Sequence, residues 1–265
     1  MGIKIKASVF QMVALVLLLG VASPINADVG VILALNETID NLTKGMVVDG
    51  RREIAKRHFI SGTIDKKPVV FVRSPMGKVN NAMTTQLLIS KYSVDTIISI
   101  SPAGAIDTNL KVGDVVIANS LFHHDFGTIK PYGLIKGKEP NTLNWRQGDF
   151  KEKNKFLLGR AIAYKSKGKS SIHYGPVVSG DQFISSESKR EWIYKNYNAL
   201  AVDMGAAAIG QVCKSNQVEF LAIRILTDKA GVNAGVPFGS WMNPYKTDVD
   251  LRELMTHLLL KRKTK

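Results

Sequence analysis

Three polar segments of this 265-residue chain stand where an apolar run gives out: Ser99-Ile100-Ser101-Pro102-Ala103-Gly104, Asp203-Met204-Gly205 and Thr227-Asp228. If those runs are parallel strands of one sheet, all of them end on the same edge, where ligands of open α/β sheets bind. A carboxyl group at such an end has two uses. It can cap the next helix, which is the commoner one, or it can face a ligand at that edge. Several such ends together weigh towards the second use. Other reactive residue types are less promising. His123-His124-Asp125 is the one cluster of metal-ligand types, but neighbours on an extended segment point to opposite sides, so no metal site is expected there. Cys213 is the only cysteine. It lies in an apolar helical stretch and reads as a small buried hydrophobe, and an internal disulfide is excluded. For binding a phosphate, the arginines to nominate are Arg73 at a strand end and Arg224 within a strand.

The elements that would position these residues emerge from periodicity. Val29 to Leu35 is apolar on both faces and reads as a buried strand. His58 to Thr63 and Val69 to Arg73 form a hairpin-type pair turned at Asp65-Lys66-Lys67-Pro68. Val79 to Tyr92 has helical spacing, and Thr96 to Ile100 is a second buried strand, so strand, helix and strand make a right-handed crossover. Further strands are expected at Val112 to Ala118, Ile172 to Val178, Leu200 to Asp203 and Glu219 to Leu226. Helices are expected at Asn154 to Ser166, Lys189 to Tyr197, Ala206 to Ser215 and Leu251 to Arg262. Leu121 to Gln147 is rich in loop residues and long enough to be a functional excursion. The fold class is therefore α/β, a single domain with a mixed, largely parallel central sheet flanked by helices.

Composition shifts most sharply at the start of the chain. Lys4 and Lys6 precede an apolar run from Ala7 to Val21 that falls short of the ~20 residues a membrane helix needs. Ile25-Asn26-Ala27 then offers a small residue for cleavage. Residues 1–27 read as a signal peptide and 28–265 as the mature domain, exported and without a membrane span after processing. The net charge of +14 loses only those two lysines, leaving +12 on the mature chain. A basic surface attracts polyanions, but the lysine clusters interleave no aromatics as a base-stacking platform would, so nucleic acid is not expected as a partner. A polyanion-binding surface protein remains a lesser alternative.

Five segments in register resemble the 5′-methylthioadenosine/S-adenosylhomocysteine nucleosidases of the purine and uridine phosphorylase superfamily. They are Ser74-Pro75-Met76-Gly77-Lys78-Val79-Asn80-Asn81-Ala82, Pro102-Ala103-Gly104 with Leu110 to Val116, Val178-Ser179-Gly180-Asp181-Gln182-Phe183-Ile184, Val202-Asp203-Met204, and Arg224-Ile225-Leu226-Thr227-Asp228. The resemblance implies a nucleoside phosphorylase-like fold that breaks the glycosidic bond of a purine nucleoside through a cationic sugar. It implies that Asp228, beside Thr227, is the acid serving the purine N7, that Phe183 stacks on the ring, and that the backbone of Ile184 reads its edge. Met204 would pack beneath the ribose, and Ala103-Gly104 would let backbone approach the sugar. No cofactor is called for. The partners implied are a purine nucleoside or free base, phosphate if the reaction is phosphorolysis, and a second copy of the chain whose loop closes the pocket.

The chain departs from that pattern at the sugar and the water. Where the family carries a second acid that grips the ribose hydroxyls, Gly205 follows Asp203-Met204, which leaves Asp203 as the nearest candidate to compensate. The glutamate that helps activate water falls at Thr38, with Glu37 one residue earlier as a weaker candidate. The Gly-Ser or Gly-Thr before Ala-Gly is Ser101-Pro102, and proline removes a backbone donor. Two functions fit: an exported nucleosidase of altered specificity, or a catalytically impaired nucleoside-binding or storage protein on the same fold.

Overall fold

The computed structural model describes residues 27–131, 133–136, 153–231, 234 and 247–259. The expected leader lies outside them except for Ala27, as do residues 137–147 of the expected excursion and the last residues of the expected C-terminal helix. In chain order the elements are β1 (Val29–Leu33), α1 (Asn36–Leu42), β2 (Val47–Ile54), β3 (Arg57–Ile64), β4 (Lys67–Arg73), α2 (Lys78–Tyr92), β5 (Thr96–Ala105), β6 (Val115–His123), β7 (Gly127–Lys130), β8 (Gly133–Lys136), α3 (Lys153–Ala163), β9 (Ile172–Ser179), α4 (Glu187–Tyr197), β10 (Ala201–Asp203), α5 (Ala206–Ser215), β11 (Glu219–Lys229) and α6 (Leu251–Leu259). No helix among the described residues is long and apolar enough to cross a membrane.

One nine-stranded sheet runs β10-β9-β6-β11-β5-β1-β4-β3-β2. β1 is parallel to β4 and β5, β5 to β11, and β9 to both β6 and β10. The edge meander β2-β3-β4 and the β6–β11 pair are antiparallel. Strand β1 is buried along its whole length, because both faces of the sheet are covered. On one face Ile32 and Ile97 pack with Leu88 and Tyr92 of α2 and with Ile209 and Cys213 of α5. On the other, Val31, Leu33 and Ile98 pack with Ile39 and Leu42 of α1, Leu157 of α3, and Leu254 and Leu258 of α6.

Two features depart from expectation. Residues 36–54 hold a helix and a strand that periodicity does not mark. β2 (VVDGRREI) is an exposed edge strand, so little in it selects apolar residues. It joins β3 through Ala55 and Lys56, which have φ of 50° and 58°, and Asp65 and Lys66 (49° and 63°) form a matching turn before β4. Lys67 and Pro68, expected in that turn, belong to β4, with Pro68 opposite Thr63.

The second departure matters for the site. β10 is antiparallel to β5, pairing Ala201 with Ala105 and Val202 with Gly104, and this pairing closes β5, β11, β6, β9 and β10 into a ring. Gly104 and Asp228 meet because β5 and β11 pair in parallel with Asp228 opposite Gly104, while closure of the ring brings β10, and with it Asp203, alongside β5.

The α2 face offers a stability test. A Cβ on Gly30 of β1 would stand 3.0 Å from Leu88 Cδ1, so this side chain fills the space over the strand. Leu88 is fully buried. Leu88→Ala is expected to cost about 2–5 kcal/mol of unfolding free energy, read as a lower urea midpoint at unchanged slope.

Candidate functional site

The residues following β9, β10, β11 and β5, together with the start of α2, form one cluster. A Cβ on Gly104 would meet Asp228 Oδ1 at 2.9 Å, Ala230 Cβ at 3.3 Å and Val202 Cγ1 at 3.5 Å. A glycine is thus needed for β5 to lie this close to the carboxyl group. Thr227 Oγ1 donates to Asp228 Oδ2 at 3.1 Å. Burial pushes the Asp228 carboxyl above the usual carboxylate range, with the Thr227 hydroxyl pulling the other way. A carboxyl that holds its proton longer than a free one is suited to donating it.

Gly231 N donates to Ile184 O at 3.0 Å, which draws the segment after β9 to the end of β11. Ile184 is buried, whereas Phe183 beside it is 50% exposed. Phe183 is thus a half-exposed aromatic on a segment tied to the end of β11. Met204 is half-buried, Ala103 is buried, and Thr227 Oγ1 lies 3.4 Å from Ala103 O.

Asp203 takes a different part from the sugar-gripping one expected of it. Its Oδ2 accepts from Arg224 Nε at 2.6 Å and its Oδ1 from Ser179 Oγ. Gly205 N and Ala206 N donate to it at the start of α5, at 3.1 Å and 3.0 Å. Its carboxylate is buried and its acceptor positions are occupied within the protein. The same geometry removes Arg224 from the phosphate-site candidates. It is 1% exposed, with Nη1 on Ser99 O and Ile223 O and Nη2 on Ser99 Oγ. Arg73, the other candidate, is exposed at the end of β4, and its Nε donates to Ala34 O at 3.1 Å.

The segment expected to be a loop after β1 is helical from Asn36, so Glu37 and Thr38 differ by about 100° around the axis of α1. A one-residue slide is not a small adjustment in a helix. Thr38 is 2% exposed, and its hydroxyl has no hydrogen-bond partner among the described residues. Pro102 lies within β5 opposite Ile225.

Further residues enter the site that residue type and spacing did not single out. Lys78 Nζ pairs with Asp125, 2.7 Å from Oδ1 and 2.8 Å from Oδ2. Lys78 N donates to Asp181 Oδ1 at 2.8 Å, and Asp181 N to Asp125 Oδ2 at 3.0 Å. These contacts clamp the start of α2 to the segment carrying Phe183. The available signal was topological: β6 and β9 are parallel and end together, His123 opposite Ser179, so the segments leaving these two strands must meet. His124 is fully buried, neither ring nitrogen has a hydrogen-bond partner among the described residues, and its imidazole crowds the place a Cβ on Gly180 would take.

Burial pulls the His124 imidazole down to about 4, with Asp125 opposing that shift and Lys189 adding to it. An unfolded chain takes up that proton near pH 6.5, so the folded form loses stability as pH falls from there towards 4. Replacing His124 with Phe is expected to flatten that part of the stability profile by about 1.4 kcal/mol per pH unit, measured by urea unfolding at stepped pH.

Comparison with known proteins points one way. The phosphorylase superfamily profile matches residues 28–259. The chain is 33% identical over 231 residues to the 5′-methylthioadenosine/S-adenosylhomocysteine nucleosidase of Mycobacterium bovis, covering 81% of this chain and 90% of that protein. Among solved structures, the nucleosidase of Colwellia psychrerythraea in complex with adenine superposes with a TM-score of 0.73 at 26% identity, covering 89% of this chain and 95% of that one. The futalosine hydrolase of Helicobacter pylori shares the fold, with a TM-score of 0.74 at 21% identity and coverage of 89% and 97%.

Proposed function

This chain belongs to the phosphorylase superfamily and, within it, to the 5′-methylthioadenosine/S-adenosylhomocysteine nucleosidases, and on that footing we propose that it hydrolyses the N-glycosidic bond of a purine nucleoside with Asp228 as the acid. The observation that carries this reading is the raised carboxyl of Asp228 held against Gly104 where β5 and β11 end together. The purine lies on Phe183, with the Ile184 backbone at its edge. As the bond from the anomeric carbon to N9 breaks, its electron pair stays on the base and the Asp228 proton goes to N7. Water adds its oxygen to the anomeric carbon, and the proton it loses restores the Asp228 carboxyl, directly or through solvent. Arg224 is bound internally, which favours water over phosphate as the nucleophile.

A second reading, a binding protein without turnover, is favoured by the occupied carboxylate of Asp203, because it leaves that acid unable to replace the one missing at Gly205. Incubation with methylthioadenosine, S-adenosylhomocysteine, adenosine and inosine separates the two. Free base is expected with or without added phosphate. Asp228→Asn is expected to lower kcat by about 10²- to 10⁴-fold, and kcat/KM should fall as pH rises through the raised pKa of Asp228, since the acid must carry its proton. Base release unchanged in Asp228→Asn would remove Asp228 from this role. Nucleoside binding without any base release would establish the second reading.

Two further proposals concern where and in what form the protein works. The basic start and short apolar run support export with cleavage after Ala27, so N-terminal sequencing of protein from the exported fraction of an expressing bacterium is expected to begin at Asp28. Met76, Val79 and Met83, beside the site at the start of α2, are 59%, 77% and 40% exposed and make an apolar surface that supports a homodimer. Light scattering is expected to give twice the monomer mass, and Val79→Lys the monomer.

A further inference from the structure

Gly205 opens a space that the structure fills from elsewhere. An ideal Cβ on Gly205 would overlap Asn81 Nδ2 and stand 2.6 Å from its Cγ and 3.0 Å from its Oδ1. The backbone of Gly205 has φ −164°, an extended value that any residue adopts, so conformation does not require glycine here. What excludes a side chain is the Asn81 carboxamide, which reaches from α2 into its place. This amide is held from one end only. Nδ2 donates to Gly77 O at 2.9 Å and approaches Pro75 O at 3.5 Å, while no described group donates to Oδ1. Asp203 and Arg224 are bound to each other and to backbone, so Asn81 Oδ1 is a polar atom with accepting capacity left at this corner of the site.

We propose that Asn81 and Gly205 are a matched pair that sets sugar specificity, in which the lone Oδ1 of a neutral amide faces the sugar at this corner. This rests on the nucleosidase reading. A carboxylate at this corner would have two oxygens and could accept from two adjacent hydroxyls at once, as charge-assisted bonds. One amide oxygen accepts from one hydroxyl, and more weakly. The substrate class implied is purine nucleosides irrespective of their 2′-hydroxyl, ribo- and 2′-deoxyribonucleosides alike. A 2′-hydroxyl withdraws electrons from the cationic sugar, so a site that does not bind it strongly gains nothing from its presence. The pairing also means that a side chain at 205 displaces the Asn81 carboxamide and breaks its bond to Gly77 O, so the two positions change together.

The test uses four forms of the mature chain: unaltered, Asn81→Ala, Gly205→Glu, and Asn81→Ala with Gly205→Glu. Each is given adenosine and 2′-deoxyadenosine, with base release and calorimetric binding both measured, and its Tm is recorded. The unaltered chain is expected to handle the two nucleosides within about threefold of each other. Gly205→Glu alone is expected to lower Tm. The double variant is expected to recover Tm and to prefer adenosine by about tenfold or more, the value of a hydrogen bond to a charged group. Gly205→Glu with unchanged Tm, or a double variant with the same adenosine preference as the unaltered chain, would overturn the pairing. If no form releases base, the nucleosidase reading fails, and the binding ratio of the two nucleosides then decides the pairing alone. Absence of nucleoside binding by every form overturns both.

Discussion

The buried ion pair between Asp203 and Arg224 is the contact on which the geometry of the site depends. With side chains 3% and 1% exposed, the two groups meet at 2.6 Å in an interior that gives them no water. Withdrawing two charges from water costs several kcal/mol per ion, and the attraction between them offsets this only when the remaining donors and acceptors are satisfied. Here they are. Ser179 and the amides of Gly205 and Ala206 complete the carboxylate, and the Ser99 and Ile223 carbonyls complete the guanidinium. The pair therefore adds little net stability but fixes β5, β9, β10 and β11 relative to the start of α5. It also means that the acid at the end of β10 serves the scaffold, and that polar recognition at that corner must come from another element.

Much of the sheet was legible because both of its faces are covered. Val29 to Leu33 holds no polar side chain and Thr96 to Ile100 sets isoleucines at 97, 98 and 100, so neither alternates, as suits strands enclosed on both sides. β2 escaped notice for the converse reason, since an exposed edge strand is free to carry Asp49, Arg51, Arg52 and Glu53. The closure of β10 on β5 was not legible either. A three-residue strand has too little sequence to declare its direction, and here it pairs antiparallel with β5 but parallel with β9. The parallel pairing of β5 and β11 brings Gly104 and Asp228 together as expected, whereas Asp203 arrives on a strand antiparallel to β5, by closure of the ring.

Within the site, legibility depends on how local each signal is. Thr227-Asp228 and Phe183-Ile184 lie in short stretches whose order along the chain carries the family pattern. Lys78 and Asp125 are 47 residues apart, on a helix start and a strand exit, and nothing near either announces the other. Asn81 is less legible still. A polar residue in the first turns of a helix is ordinary, and its meaning appears only when Gly205 is found beneath it. The role expected of Asp203 was misjudged for the same reason, because its partner Arg224 stands in the interior of another strand, where a buried cation requires an acid that sequence alone does not identify.

Charge balance ties these points to the chemistry. Asp203 is matched by Arg224 and Asp125 by Lys78, while Asp228 favours keeping its proton. Asp181 is exposed, and its charge is screened by solvent. The described side chains at the strand ends thus place no uncompensated carboxylate against a bound sugar, and Asn81 is neutral. On the proposed reading, a site built this way assists departure of the base more than it stabilises positive charge on the sugar. Such a division favours substrates whose sugar forms a cation readily and whose base is easily protonated.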